Sequence, residues 1–460
     1  MRKRVLSPTS KVAKGKRRCI SNLFWDFLPL KFSQGRRLPI RARRRLLLSN
    51  SKRPKSEIVQ PTSSRQLYYY SDCKLREDTL AKERFLFINW VDSVVKMHQG
   101  QTLEEFRIDF PLEQTSSHVV DAWIELVFSK RVQQLVLNLS PIYCVNGGPW
   151  NYSFPKVVSP VGLTSLTILY LEYVNVKQEV VEHIISKCPV LEQFSLFDSV
   201  YLGHFKLAGA ALKLKHLSLF RCSGLKCIEI YDTNIVSFKY VGWRNTILHL
   251  ENLPCLVELY AGVINSPISY VIDPMSGLFS QLETLTFEFG GRMSECYSSS
   301  ARPSDVDYFD IAAYPELTKL RHLIIKMEMD GDFGLLKMIP LINACPYLQR
   351  FVLQLSWDHR VKMTKKVVET IECPHQHLKV VELAGYYGRV TDVEFAKYFI
   401  HNAVALERMI IIPKCSNWEL PERNYKIVHK KEIMREEKAR CRAKEQLQGN
   451  VPPTIDLVIH

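Results

Sequence analysis

The sequence predicts an α/β solenoid: short strands, each followed by a helix or a tight turn, stacked so that the strands make one parallel sheet along a concave side. Three observations carry this expectation. An apolar-x-x-apolar-x-apolar pattern returns thirteen times between Leu103 and Leu406. Between its copies the apolar spacing changes from every second residue to every third or fourth, the change expected when strand gives way to helix. The 460 residues exceed what one compact core usually supports, and a repeat architecture accommodates them because each unit packs only on its neighbours.

The chain opens on a basic head. Residues 1–65 hold 19 Lys and Arg against Asp26 and Glu57, whereas the remaining 43 Lys and Arg face 45 Asp and Glu, so the formal charge of +15 belongs to the head. Clustered like charges repel and stay solvated, and residues 1–74 are expected to form a disordered basic segment. Arg2, Lys3 and Arg4, followed nine residues later by Lys14, Lys16, Arg17 and Arg18, resemble a bipartite nuclear import signal. The Arg- and Ser-rich, acid-poor composition also suits an organelle transit peptide or a plain solvated tail. Such charge attracts phosphates without reading bases. A nuclear nucleic-acid association through the head is therefore the alternative to protein binding, and nucleic acid is not the expected partner. No apolar run approaches the roughly 18 residues of a membrane span. Twelve cysteines are too dilute for a disulfide scaffold and no signal-peptide pattern opens the chain. An intracellular protein of nucleus or cytoplasm, with no membrane partner, is expected.

Residues 75–412 are expected to form the solenoid. The copies begin at Leu103, Val132, Leu166, Leu191, Leu214, Leu225, Ile235, Leu256, Leu282, Leu320, Leu348, Leu378 and Leu406. Most intervals fall in or near the roughly 20–29 residues of leucine-rich repeats. In Leu135-Val-Leu137, Leu169-Tyr-Leu171 and Phe194-Ser-Leu196 the last two apolar residues lie two apart, which places both on one face of a strand, toward the core. Between strands, Glu179–Lys187 and Phe333–Cys345 carry apolar residues at helical spacing. Cys188-Pro189 and Cys345-Pro346 then punctuate, since proline cannot continue the helix. The copies at Leu214, Leu225 and Ile235 are only 11 and 10 residues apart, which leaves room for tight turns alone. The 38-residue interval after Leu282 holds a Gly- and Ser-rich insertion, expected to be a mobile loop. Residues 413–460, dense in Lys, Arg and Glu, read as a charged helix and tail.

No set of converging acids, bases and nucleophiles emerges, nor any phosphate-cradling glycine loop, dinucleotide fingerprint or His-Glu-x-x-His pair, so no enzyme, cofactor or metal is expected. Cys373-Pro-His375-Gln-His377 is the most metal-like cluster, but no second ligand pair accompanies it. Cys222 and Cys227 flank a turn and read as buried thiols; Cys188, Cys255 and Cys345 lie in apolar surroundings and read as core. Binding has a definite place, because residues flanking the two core positions of each strand point out of the concave sheet. A protein partner is expected on Tyr170, Glu172, Phe197, His216, Phe220, Glu229, Tyr231, Lys239, Tyr260, Glu288, Lys326 and Arg350. Phe197, Phe220, Tyr231 and Tyr260 form its aromatic middle, and aromatics are frequent anchors of protein interfaces.

Several stretches together resemble a known family. Phe85–Asp92, Thr102–Arg107, Trp123-Ile-Glu125 and Lys130–Leu135 resemble the opening of the leucine-rich region in plant F-box/leucine-rich-repeat proteins, and Cys188–Glu192 continues the resemblance. Leu378–Gly388 and Asn402–Glu407 look like that family's FBD-type segment, here about residues 373–412, and Ala443–Leu447 like its tail. The resemblance implies that the repeats hold a protein to be ubiquitinated while an N-terminal F-box docks on a Skp-type adaptor of a cullin-RING ubiquitin ligase. Cys19–Leu23 resembles the start of such a box, but the later landmarks are not recognisable, which counts against the adaptor as a partner.

Overall fold

A computed structural model describes strands at 45–49 and 57–59 and then residues 73–460, apart from 113, 141–151, 156–159, 210–211, 265, 290–308, 310–313, 330–333, 358–372 and 415–424. The chain divides into two units, Met1–Ile40 and Arg41–His460, and every described residue lies in the second. The import-like clusters, Cys19–Leu23 and the Gly- and Ser-rich insertion lie outside the described residues.

The first elements are β1 (Arg45–Ser49), β2 (Glu57–Val59), α1 (Cys73–Met97), β3 (Glu105–Asp109), α2 (Ser117–Ser129) and β4 (Gln134–Asn138). The short pair β5 (Tyr152–Ser153) and β7 (Val174–Asn175) brackets α3 (Pro160–Leu163) and β6 (Ile168–Glu172). Then come α4 (Gln178–Lys187), β8 (Gln193–Phe197), β9 (His204–Ala208), β10 (His216–Phe220), β11 (Cys227–Tyr231), β12 (Ser237–Gly242), β13 (Ile247–Glu251) and β14 (Glu258–Val263). The C-terminal part runs α5 (Ser269–Met275), β15 (Thr284–Phe289), β16 (His322–Met329), α6 (Ile339–Asn343), β17 (Arg350–Trp357), β18 (Val380–Ala384), α7 (Val390–Asn402), β19 (Arg408–Ile412), α8 (Tyr425–Leu447) and β20 (Asp456–Ile459).

One long sheet takes β3, β4, β6, β8, β10, β12 and β14–β20 in that order, all parallel, in the arrangement of a leucine-rich-repeat solenoid. The repeat pattern explains it: Leu135 and Leu137, Leu169 and Leu171, Leu217 and Leu219, and Leu323 and Ile325 are all buried in one continuous core. Successive strands stack with identical phase, as in Leu169↔Phe194 and Leu323↔Phe351, so every coil adds a layer to that core. Helices close the opposite wall on both flanks: Val180, Val181 and Ile184 of α4, and Phe395 and Phe399 of α7, face inward. Trp123 of α2 donates its indole N–H to Asp92 of α1 at 2.6 Å, fixing the first helix against the second.

At both ends strands extend the sheet beyond the expected residues 75–412. Within residues 1–74, β1 and β2 are strands, and β1 pairs antiparallel with β3, Arg45 opposite Asp109 and Ser49 opposite Glu105. The first parallel strand leaves a row of unpaired backbone groups, and the Leu46-Leu47-Leu48 run supplies a strand to cover it. At the other end β20 joins β19 in parallel, so residues 413–460 include a sheet strand after the helix.

The middle of the solenoid differs from the tight turns expected there. β9, β11 and β13 form a second parallel sheet of three strands that lines the wall opposite β8, β10, β12 and β14. The copy at Leu225 therefore belongs to this opposite wall. Leu202-x-x-Phe205-x-Leu207 repeats the same pattern on the neighbouring strand, with all three side chains buried. Coils of little more than twenty residues have no length for a helix, and an inward-outward alternation closes them with a strand. Phe194 and Phe205 meet between the two walls, ring centroids 6.2 Å apart.

Sharp corners follow these strands. Tyr173, Asp198, Arg221, Asp232 and Asn252, each next after a strand, have φ between 50° and 55°. Left-handed backbone is costly for residues with a Cβ, and stacked corner hydrogen bonds hold it, Tyr173 N–H to Phe197 O at 3.0 Å and Asp198 N–H to Phe220 O at 2.9 Å. Arg221 reaches back with two bonds to Asp198, 3.1 Å and 3.0 Å, tying consecutive corners together. Cys222, one residue on, is buried, with its thiol 3.5 Å from the Phe220 carbonyl, and occupies the Asn-or-Cys position of the repeat.

Candidate functional site

Register fixes what the outer face of the long sheet presents. One row runs Gln193, His216, Ser237, Glu258, Thr284, His322, Arg350. A second runs Tyr170, Ser195, Ser218, Lys239, Tyr260, Thr286. A third runs Glu172, Phe197, Phe220, Val241, Gly262, Glu288, Lys326. Ten of the twelve residues expected at the partner face thus lie on this one surface.

The other two do not. Glu229 and Tyr231 belong to β11 in the opposite wall, so they do not lie on the outer face of the long sheet. Their alternation with Ile228 and Ile230 is the same on either wall; only the short intervals reveal which wall the strand joins.

The aromatic residues do turn outward, and the structure adds a feature that spacing alone does not give. Phe197, Phe220, Val241 and Ile264 form a hydrophobic cluster separate from the core, with Tyr170, Trp243 and Tyr260 packed on its margin. Ring centroids step across the strands: Tyr170 to Phe197 5.1 Å, Phe197 to Phe220 4.8 Å, Phe220 to Tyr260 5.2 Å. Phe197 and Phe220 are each only 9% exposed, because the rings cover one another across strands about 4.8 Å apart. The anchors open to a partner are consequently the margin rings and the flanking polar groups rather than the two phenylalanines.

Carboxylates frame this cluster. The Tyr170 hydroxyl donates to Glu172 at 2.6 Å and Ser140 donates to the other oxygen at 3.1 Å. Tyr260 donates to Glu288 at the far side, with the Lys326 ammonium 5.1 Å from the Tyr260 ring centroid. Burial raises the pKa of Glu172 and Glu288 above the usual carboxylate value, since the charged form loses hydration there. Lys239 pairs with Glu258 at 3.0 Å, and Arg350 with Glu382 at 2.6 Å. His216 is exposed as a residue, yet partial desolvation of its ring lowers its pKa. The arrangement is a apolar patch within a polar rim of both signs, suited to recognition; among the described residues it brings no nucleophile to a base.

Sequence reasoning missed a second concavity. A groove of about 370 Å³ lies where the chain enters β15–β18, lined by Glu283, Thr318, Lys319, Arg321, Tyr347, Gln349 and His377. These precede the strands and follow no pattern of their own. The metal-like run at Cys373 is taken up by structure: His375 is buried, with Nε2 2.7 Å from the Tyr398 hydroxyl, while His377 lies against Tyr347. Cys255 is exposed and Cys227 half-buried, against the expectation of buried thiols, whereas Cys188, Cys222 and Cys345 are buried.

A long parallel sheet with inward leucines and a wall of helices and strands defines a leucine-rich-repeat domain. Residues 151–460 match the family described as At1g61320/AtMIF1, LRR domain, and the chain belongs to that family. It is similar to three proteins of Arabidopsis thaliana. The F-box/FBD/LRR-repeat protein At4g00160 is 28% identical, with 72% of this chain and 75% of that protein covered. The F-box/FBD/LRR-repeat protein At5g53840 is 23% identical over 71% of this chain and 75% of its own length. The FBD-associated F-box protein At1g61320 is 19% identical over 69% and 74%. Among the described residues no helix is long and apolar enough to cross a membrane.

Proposed function

We propose that this chain is a non-enzymatic recognition module that holds a protein partner against the outer face of its long sheet, around Tyr170, Tyr260 and the rim formed by His216, Lys239, Glu258, Lys326 and Arg350. The observation that carries the reading is the outward hydrophobic cluster, packed apart from the core and framed by charged groups. Rings already locked by their neighbours lose little side-chain entropy on binding, which favours an interface there. The second half of the proposal rests on the F-box in the relatives' names together with the family resemblance: if F-box function remains ahead of the repeats, the chain is an intracellular substrate receptor of a cullin-RING ubiquitin ligase, in nucleus or cytoplasm.

The test has two arms. Full-length chain is first assayed against a Skp-type adaptor; absence of binding at micromolar concentration removes the ligase role and leaves the recognition role. Captured proteins are then compared between wild type and a Lys239→Glu/Tyr260→Ser variant of unchanged melting temperature. Loss of a specific partner supports the concave face, and an identical set of partners refutes it. The +17 head favours one other reading, a nucleic-acid association, for which deletion of residues 1–65 should abolish a steeply salt-dependent affinity.

A further inference from the structure

The strand-built wall places side chains where a helical wall would not. In the three-stranded sheet, His204 of β9 stands directly opposite Cys227 of β11, and Glu229 lies two residues along β11 on the same outward face. One ligand-type atom from each, imidazole N, thiol S and carboxylate O, falls within 4.8 Å of the others. His204 Nε2 approaches Glu229 Oε1 to 3.3 Å, yet that nitrogen is shielded from solvent and makes no hydrogen bond. The contact with Glu229 is close enough for an ion pair but lacks hydrogen-bond geometry, so the shielded nitrogen's hydrogen-bonding capacity is unsatisfied.

We propose that His204, Cys227 and Glu229 form a site for a single divalent transition-metal ion, zinc by preference, on the wall opposite the partner face. The donor set suits it: one thiolate, one imidazole and one carboxylate is a borderline-soft combination, and in a tetrahedral zinc site such atoms lie about 3.3–3.8 Å apart. The His204–Glu229 approach already falls in that range, and sulfur needs a shift of at most about an ångström to join. All three residues are half-buried, so the fourth position is open to water. Lys206 contacts the other carboxylate oxygen, Oε2, at 3.8 Å, and lies over the Tyr231 ring, which leaves Oε1 for the ion. Binding releases the Cys227 thiol proton, one per ion, so affinity falls with acidification. The ion would clip β9 to β11, in the part of the wall that has no helix to cover it.

The test uses the full chain, stripped of metal under reducing conditions and titrated with Co²⁺ as a spectroscopic substitute for zinc. The expected result is one equivalent of tetrahedral cobalt with a thiolate charge-transfer band, displaced by Zn²⁺. Cys227→Ser should remove that band, and His204→Ala should weaken zinc binding by about tenfold or more. Lys206→Ala, which withdraws a competing cation, should tighten it. If either ligand variant fails to fold, judged by its melting curve without metal, Glu229→Gln replaces it, with zinc binding weakened about tenfold or more as the expected result and the thiolate band retained. A missing thiolate band in wild type, or zinc affinity unchanged in the ligand variants, overturns the proposal.

Discussion

The solenoid is built in two ways. On its flanks, coils of about 25–38 residues spend their length on helices such as α4 and α7, whose apolar stripes cover the core. Between β8 and β14 the coils shorten and the covering wall is a sheet, β9, β11 and β13, which buries Phe205, Leu207, Ile228 and Ile230 and turns His204, Lys206, Glu229 and Tyr231 outward. The same hydrophobic pattern therefore serves both walls, and coil length decides what covers the core. The functional consequence is a division of faces: the long sheet carries the aromatic patch, while the short sheet presents a regular grid of polar side chains that no helix could set out at 4.8 Å intervals.

That contrast can be broken most severely at Phe205. Its ring is buried against Phe194 across the two walls, so Phe205→Ala should cost about 3–5 kcal/mol in urea unfolding, whereas Lys206→Ala next to it, outward-facing, should leave the midpoint unchanged. Equal effects would mean that β9 does not alternate as described. The corners are tested next. A Cβ at Gly224 would meet the Val200 carbonyl at 2.1 Å, and Gly224→Ala should cost about 1–3 kcal/mol. Gly203→Ala on the preceding coil, with open space around it, should stay within about 0.5 kcal/mol. Arg221→Ala strips the paired bonds from Asp198, whose side chain is largely buried, for a loss of about 1–3 kcal/mol. A melting curve identical to wild type would show that the corners do not depend on this pair.

Much of the architecture was legible because the repeat constrains three residues per coil to one core. Twelve of the thirteen copies lead into strands of the long sheet, and their second and third apolar positions are buried. What escaped is what the pattern does not encode. Leu225 satisfies it as well as Leu214, so the pattern alone puts Glu229 and Tyr231 on the partner face; the two short intervals around it add to one coil, which is the signal that separates the walls. β20 escaped because Leu457 and Ile459 alternate without a leading apolar residue at the right distance. The outward direction of Phe197 and Phe220 followed from alternation, but their mutual burial depends on which strands are neighbours, and that requires the fold. The metal-like run at Cys373 is visible in sequence because its residues are close along the chain, and it lacks a second ligand pair; His204 and Cys227, 23 residues apart, converge only through strand pairing.

The smallest predicted effect separates the two regions by pH. Burial lowers the pKa of His375, packed on α7 in the helical flank, below the ordinary 6.5. The folded state thus binds that proton less readily than the unfolded chain, and stability is lost as pH falls through about 6.5 toward the folded value. Glu172 of β6 and Glu288 of β15, which bracket the middle strands on the outer face, shift the opposite way for carboxylates: burial raises them above 4.5. Folded chain takes up those protons first, so they return stability as pH falls further, down to about 4.5. The melting temperature should fall on acidification from neutrality and then flatten. His375→Gln should reduce the early fall, and Glu288→Gln the later flattening. A monotonic fall unaltered by either substitution would show that neither burial is felt in solution.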